Sequence, residues 1–323
     1  MVEEWAAAIR RGDRRALAKA ITLVESSRPQ DETTARQLLA RLTPQITPAL
    51  RVAISGPPGV GKSTFIEALG MAAVGKGQRV AVLTVDPSSR ISGGSILGDK
   101  TRMPRLSTHP LAYIRPSPAG ETLGGVARRT RESMLLLEAA GFDLLLVETV
   151  GVGQSETEAA AMVDLFVLLL LPNGGDELQG IKRGIMELAD LVLINKADGD
   201  FIEAARQTHR QVEGALALLG HHEKGWSPRT LTISSRQEQG IDQVLELLAQ
   251  FRQTHITTLG EKRRNQARAW MWERVREGLL LRFQADTTIQ CLVTELEPAV
   301  MNGTLGSVEA AERLLDAFVG RKV

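Results

Sequence analysis

The sequence predicts an α/β protein with a mainly parallel central sheet, a helical N-terminal extension and a helical C-terminal arm. Between residues 49 and 254, short apolar runs rich in branched side chains alternate with longer amphipathic segments. Because these runs are apolar throughout, they are typical of strands covered on both faces and joined by helical crossovers. On both sides of this region, apolar residues repeat at helical spacing. These three observations give the fold class and divide the chain into three parts.

The N-terminal extension, residues 1–48, is predicted to be helical. Residues 1–28 have apolar side chains at helical spacing, and Pro29 is expected to end that pattern. A second helix is predicted near Asp31–Leu42. We expect both helices to lie against the domain that follows.

The central domain, residues 49–254, contains seven apolar runs that we interpret as strands. Polar and glycine-rich segments follow several of them, where ligands bind in parallel sheets. The predicted strands are Leu50–Ser55, Val80–Val85, Ala112–Arg115, Leu144–Val147, Leu165–Leu171, Leu191–Ile194 and Leu231–Ile233.

The C-terminal arm, residues 255–323, is predicted to form one long helix and two shorter ones. Every fourth residue from Ala267 to Phe283 is apolar, which makes one stripe along the long helix. Shorter helices are predicted near Thr287–Glu295 and Ser307–Val319. Because so short a segment has little core of its own, we expect it to dock on the main domain, on a second copy of the chain, or on both.

Composition excludes several classes of protein. The chain has 323 residues, of which 39 are Lys or Arg and 38 are Asp or Glu, so its net charge is +1. A charge this small creates no overall electrostatic attraction to nucleic acid or to an anionic membrane. One cysteine, Cys291, excludes an internal disulfide framework. The longest apolar run, Leu165–Leu171, is far shorter than the about 20 residues of a membrane-spanning helix. We expect a cytoplasmic protein that binds neither nucleic acid nor membrane.

A phosphate-binding loop is predicted directly after the first strand. The segment matching G-x-x-x-x-G-K-[ST] reads Gly56-Pro57-Pro58-Gly59-Val60-Gly61-Lys62-Ser63. Its glycines let backbone N–H groups face an anion, and the helix beginning at Lys62 adds the positive end of its dipole. We expect Lys62 to reach the β- and γ-phosphates, Ser63 to hold Mg²⁺, and Thr64 to contact the α-phosphate. The sequence therefore predicts a P-loop nucleotide-binding fold.

A second motif predicts which base is bound. The segment Asn195-Lys196-Ala197-Asp198 reads N-K-x-D after a strand. Asp198 can accept from guanine N1–H and the N2 amine, whereas adenine would leave the carboxylate unpaired. Ser234-Ser235-Arg236 follows the last strand, where guanine-binding proteins have their final loop around the base. Ser235 stands where alanine is common, and we expect this loop to contribute mostly backbone groups. The predicted ligands are GTP and GDP.

Three acids are candidates for Mg²⁺ binding and hydrolysis. Glu148 and Gly151 resemble the D-x-x-G motif with glutamate in place of aspartate, and the Gly151 N–H can contact the γ-phosphate. Asp86 ends the second strand, and Asp99 lies in the polar loop after it. No glutamine directly follows Gly151 to orient the attacking water, so we expect slow intrinsic hydrolysis that a partner accelerates.

Together these segments resemble the MeaB/MMAA-type G proteins, also called ArgK or LAO/AO transport ATPases. The resemblance covers nearly the whole chain, including both helical flanks. The fold of this family is similar to that of the signal-recognition and nickel-maturation GTPases. The segments that carry it are Gly56–Thr64, Asp86–Arg90, Ser92–Met103, Glu148–Glu156, Gly174–Gly184 and Asn195–Asp198.

The resemblance implies a GTP-dependent chaperone of methylmalonyl-CoA mutase, which gates loading of adenosylcobalamin and helps to eject damaged cofactor. Lys62, Asp86, Asp99 and Glu148 would serve Mg-GTP and hydrolysis. The segment Gly174–Gly184 would be a switch that responds to the mutase. Such proteins are typically homodimers through the C-terminal arm.

The residues of the switch segment support this role, because glycines permit large backbone changes. We expect Lys182 to pair with an acid near the metal in one nucleotide state only. Asp176, in the same segment, is either part of the switch or the cap of an ordinary helix.

Three alternatives remain open. The first is a P-loop kinase or ATPase linked to amino-acid (lysine, arginine or ornithine) transport. The second is a metallochaperone GTPase, which would need clustered histidine or cysteine ligands; the chain has five His, and only His221 and His222 are adjacent. The third is an interaction module with a degenerate nucleotide site, against which Lys62, Ser63 and Asp198 argue.

Overall fold

Seven parallel strands form the central sheet of the computed structural model, in the order β3-β2-β4-β1-β5-β6-β7. The structure describes residues 2–26, 28–46, 48–85, 102–116, 123–149, 154–172, 183–219 and 225–320. The predicted α/β fold with a parallel sheet is confirmed. In that sheet β1 lies between β4 and β5, so the loop after β1 opens at the centre of the edge where parallel strands end.

The strands are β1 Leu50–Ser55, β2 Val80–Val85, β3 Ala112–Pro116, β4 Leu144–Thr149, β5 Leu165–Leu170, β6 Leu191–Ile194 and β7 Arg229–Thr232. The helices within residues 2–259 are α1 Val2–Arg10, α2 Arg14–Glu25, α3 Pro29–Leu42, α4 Lys62–Gly75, α5 Pro104–Thr108, α6 Leu123–Ala139, α7 Gln154–Ala160, α8 Arg183–Met186, α9 Ile202–Leu219 and α10 Ile241–Thr254.

Alternate residues of strands β1 to β6 enter two different hydrophobic cores, one on each face of the sheet. In β1, Ala53 joins the core that contains the N-terminal helices, whereas Val52 and Ile54 join the core that contains α4 and α10. All three side chains are fully buried. Strands β1 to β6 are therefore covered on both faces, which explains why they read as continuous apolar runs.

The N-terminal extension differs from its prediction, because residues 1–28 form two helices rather than one. The chain turns at Gly12, which has a φ of 76°, and Asp13 then caps α2 by accepting from two backbone N–H groups. Pro29 begins α3 instead of ending a helix, a position where its missing N–H costs nothing. Arg14 donates to the carbonyl of Ala112 at 2.7 Å, which fixes the extension to edge strand β3.

Residues 260–323 form a second unit. Its helices are α11 Leu259–Ala285, α12 Thr287–Met301 and α13 Ser307–Val319. Phe283 and Phe318 pack edge to face with their ring centroids 5.3 Å apart. The predicted end of α12 at Glu295 is wrong, because the helix continues to Met301 with Pro298 inside it. No helix within the described ranges is both long and apolar enough to span a membrane.

Candidate functional site

The loop between β1 and α4 has the backbone geometry of a phosphate-binding cradle. Gly56, Gly59 and Gly61 have φ angles of 149°, 79° and 97°. A Cβ atom at Gly61 would lie 2.8 Å from Asn195 Nδ2, and one at Gly56 would lie 2.5 Å from the carbonyl oxygen of Leu169. Gly61 is also the N-cap of α4, so the unpaired N–H groups of the first helical turn open onto this loop. The loop can therefore bind an anion such as phosphate.

Lys62 lies against this loop and carries the site's positive charge. Its Nζ donates to the carbonyl oxygens of Gly56 at 2.7 Å and Pro57 at 3.2 Å, which uses two of its three hydrogens. Burial lowers the pKa of Lys62, while the carboxylates of Glu148 and Glu156 act in the opposite direction. The cation and two acids thus occupy one region at the end of β1.

Ser63 and Glu148, two residues predicted to bind magnesium, lie in contact. Glu148 lies beside Ile54 in the β1–β4 pairing, and the Ser63 hydroxyl donates to Glu148 Oε1 at 3.0 Å. Two adjacent oxygen ligands of an octahedral ion with metal–oxygen distances near 2.1 Å lie about 3 Å apart. The two oxygens are hydrogen-bonded to each other at this distance, and the same spacing is compatible with two adjacent Mg²⁺ ligands. Thr64 follows on α4 with an exposed side chain.

Asn195 links the base motif to the phosphate-binding loop. Its Nδ2 donates to the carbonyl oxygen of Val60 at 2.8 Å, and its Oδ1 accepts from Ser235 N at 3.0 Å and Ser235 Oγ at 2.8 Å. Asn195 and Ser235 are both buried. Three loops that are far apart in sequence therefore meet at one side chain. The hydroxyl of Ser235 takes part as well as its backbone, which the sequence did not predict.

Asp198 lies in the neighbouring loop, where Ser234 Oγ donates to its Oδ2. The Ala197 N–H donates to Ile233 O at 3.0 Å. This bond connects the two loops predicted to contact the base, Asn195–Asp198 and Ser234–Arg236, which we call the base loops. Lys196, at the turn between Asn195 and Asp198, has a positive φ of 60°. Lys196 and Arg236 both have exposed side chains. This arrangement holds the Asp198 carboxylate beside a short loop of polar groups, as recognition of a base requires.

Glu156 is a buried acid whose individual position the sequence did not predict. It lies on the first turn of α7 and is 4% exposed. Its Oε1 is 3.5 Å from the Ser55 hydroxyl, and its Oε2 is buried without a hydrogen-bond partner in the described part of the chain. The sequence shows Glu156 only as an acid eight residues after Glu148. Its position near Lys62 follows from the contact between α7 and β1, which the sequence alone does not reveal.

Several predicted residues lie outside the described ranges. The acids Asp86 and Asp99 follow β2, Gly151 follows β4, and Asp176 and Lys182 follow β5 in sequence; the adjacent His221 and His222 also fall outside. The described residues therefore bring together the phosphate loop, Glu148 and both base loops.

Comparison with known proteins gives a consistent family relationship. The family model "Methylmalonyl Co-A mutase-associated GTPase MeaB" matches residues 17–288. A probable GTPase of Mycobacterium tuberculosis is 52% identical over 318 residues, covering 98% of this chain and 94% of that protein. The mouse protein called "Methylmalonic aciduria type A homolog, mitochondrial" is 47% identical over 96% of this chain and 78% of its own length.

Two further relatives have names that point to different activities. The "GTPase ArgK" of Escherichia coli is 45% identical, covering 96% of this chain and 94% of that protein. A crystal structure described as "LAO/AO transport system kinase" superposes with a TM-score of 0.78 at 37% identity, covering 99% of this chain and 98% of its own.

Proposed function

The chain belongs to the MeaB family of methylmalonyl-CoA mutase-associated GTPases, and we propose that it is a GTP-dependent chaperone of adenosylcobalamin-dependent methylmalonyl-CoA mutase. It is a GTPase of the P-loop class, as its relatives and its family model indicate. The family match over residues 17–288 is the observation that carries the proposal. In this role the protein would gate cofactor loading and protect or reactivate the mutase.

The site residues have separate proposed tasks. The backbone from Gly56 to Gly61 would cradle the phosphates, and Lys62 would exchange a carbonyl partner for a phosphate oxygen. Ser63 and Glu148, with Asp86 and Asp99 as further candidates, would hold Mg²⁺, which when bound neutralises charge on the β- and γ-phosphates. Asp198 would read the guanine N1 and N2 donors, with Ser234 already bonded to it.

Hydrolysis by the isolated protein is expected to be slow. Val152 rather than glutamine follows Gly151 in the sequence, so the usual group that orients the attacking water is missing from its usual position. Glu148 is a candidate for that task, because it is buried at the end of β4 beside β1. We propose that binding of the mutase completes the site, with the segment 174–184 as the responding switch.

One alternative is a kinase linked to amino-acid transport. It is supported by the similar crystal structure, which is described as a transport system kinase. A kinase transfers the γ-phosphoryl group to an acceptor, whereas a GTPase transfers it to water. Incubation with γ-labelled GTP distinguishes them. Release of inorganic phosphate with unlabelled protein supports hydrolysis, and stable label on a protein supports the kinase.

The mutase partnership is tested by affinity capture. The tagged chain is incubated with purified adenosylcobalamin-dependent mutase plus GDP, a non-hydrolysable GTP analogue or no nucleotide. We expect capture that depends on the nucleotide, and stimulation of GTP hydrolysis by the mutase. Normal GTP hydrolysis with neither capture nor stimulation would contradict the chaperone role and leave the GTPase activity intact.

A further inference from the structure

The Ser235 hydroxyl forms a contact that the proposed roles of the site leave unexplained. Asn195 Oδ1 accepts from Ser235 N and Ser235 Oγ at 3.0 and 2.8 Å. A carboxamide oxygen has two lone pairs, so one residue supplies both donors to this atom. Asn195 is 2% exposed and Ser235 is 4% exposed. Water therefore has little access to replace either donor.

The other end of the Asn195 side chain is fixed by the phosphate-binding loop. Its Nδ2 donates to Val60 O at 2.8 Å, and the same nitrogen lies 2.8 Å from the position of a Cβ on Gly61. Val60 itself is fully buried. A rotation of the Asn195 amide would consequently disturb the loop immediately before α4.

Guanine recognition places a competing demand on the backbone N–H of Ser235. The purine edge that offers N1–H and the N2 amine to a carboxylate carries the carbonyl oxygen O6 next to N1. The Ser234 N–H already donates to Gln239 O at 3.1 Å, so the next backbone N–H along this loop is that of Ser235. If that N–H turns to O6, Asn195 Oδ1 loses one of its two donors.

We propose that the Ser235 hydroxyl is a positioning group, which keeps Asn195 anchored while the Ser235 N–H is donated to guanine O6. The inference rests on the proposed guanine site and adds a residue that couples base recognition to the phosphate loop. An alanine at position 235 has the same N–H but no second donor. It would have to leave Asn195 Oδ1 buried and unpaired whenever O6 is bound, which carries the cost of an unsatisfied polar group.

The test compares two ligands on two proteins. GDP and 6-thio-GDP both offer the N1 and N2 donors, but sulfur at position 6 is a weak hydrogen-bond acceptor. Dissociation constants for wild type and Ser235→Ala are measured by calorimetry at one Mg²⁺ concentration. We expect Ser235→Ala to weaken GDP binding about fivefold, the effect of one neutral hydrogen bond, and to change 6-thio-GDP binding by less than about twofold.

Two further variants separate positioning from a general loss of structure. Ser235→Thr keeps the hydroxyl and is expected to retain most of the preference for GDP. Ser133→Ala removes another buried hydroxyl, on α6, and should leave both dissociation constants unchanged. Thermal unfolding of each variant confirms that it is folded at the assay temperature.

The proposal is overturned if Ser235→Ala weakens both ligands equally, or neither. It is also overturned if wild type binds GDP and 6-thio-GDP equally, a result that needs no variant. Each of these outcomes leaves the guanine site in place. Failure of wild type to bind any guanine nucleotide would instead contradict the proposed function.

Discussion

The Ser63 hydroxyl donates a hydrogen bond to Glu148 at 3.0 Å, which joins the first turn of α4 to the end of β4. One residue belongs to the phosphate loop and the other to the segment expected to sense the γ-phosphate. Sheet register explains their meeting, because Glu148 is the partner of Ile54 on β1. A cation held by both oxygens would therefore connect the phosphates to the segment that follows β4, which contains Gly151.

We predict that Ser63→Ala and Glu148→Gln each weaken the magnesium dependence of nucleotide binding. Removal of a ligand or its support typically lowers metal affinity about 10- to 100-fold. GDP affinity is measured for each variant in Mg²⁺ and in EDTA. The gain produced by Mg²⁺ should shrink, while binding in EDTA stays close to wild type. An equal loss in both conditions would mean that these residues support the loop rather than the metal.

Replacement of Lys62 should abolish hydrolysis and weaken GTP binding. Lys62→Ala removes the charge expected on the β- and γ-phosphates, and electrostatic contacts of this kind often contribute about 3 kcal/mol. Turnover and GTP affinity are measured together. Lys76→Ala, at the other end of α4 and paired with Asp242 at the surface, is the control and should behave as wild type. Unchanged turnover in Lys62→Ala would contradict the phosphate-loop assignment.

Asp198→Asn should weaken binding of guanine nucleotides and relax base choice. An amide cannot accept from both guanine donors, but its NH₂ group can donate to the carbonyl at position 2 of xanthine. Competition between GDP and xanthosine diphosphate measures the change, with about a hundredfold shift expected towards xanthine. Asp200→Asn, an exposed residue two positions later, is the matched control. If GDP affinity is unaltered, Asp198 does not read the base.

The sequence was sufficient for most of the sheet because its strands are buried on both faces. The predicted strand Leu191–Ile194 matches β6, since four consecutive buried aliphatic residues leave little ambiguity. The last strand was predicted at Leu231–Ile233 but lies at Arg229–Thr232. It pairs with one neighbour at the sheet edge, so Arg229 and Thr230 are tolerated there and the apolar pattern is weak.

The site was predicted only as far as local motifs extend. The loops containing Lys62, Asn195 and Asp198 could be recognised because each motif is continuous in sequence. The Glu156–Ser55 contact joins residues 101 positions apart, and the Ser235–Asn195 bond spans 40 positions. Such contacts depend on strand order and register, which the composition of either segment does not encode.

Lys182→Ala should uncouple the protein from its partner while leaving intrinsic hydrolysis near normal. β5 ends at Leu170, at the sheet edge that faces the proposed nucleotide, and the proposed switch, residues 174–184, follows it in sequence. A switch requires contacts that differ between two states, and Lys182 is our candidate for such a contact with an acid near the metal. GTP hydrolysis is measured with and without the mutase. Equal stimulation of wild type and Lys182→Ala would indicate an ordinary loop.

Finally, α11 presents an apolar stripe that predicts a homodimer. Met271, Trp272, Val275 and Leu279 are 52%, 57%, 41% and 50% exposed, and their spacing places them on one side of the helix. Exposed apolar surface of this extent marks an interaction site when it is contiguous. The stripe belongs to one helix of a unit with few buried residues of its own, so a second copy is our proposed occupant.

The full-length chain should have a dimer mass by light scattering at micromolar concentration, and truncation near Leu259 should give a monomer. The double variant Met271→Glu and Leu279→Glu places two charges in the stripe and should also give a monomer, because each charge would have to be desolvated at the interface. Gln284→Glu introduces the same charge at an exposed position that lies at least about 120° around α11 from each residue of the stripe, and should remain dimeric. A monomer mass for the unmodified chain would contradict the prediction outright. If the double variant remains dimeric while the truncation does not, the interface lies elsewhere on the C-terminal unit.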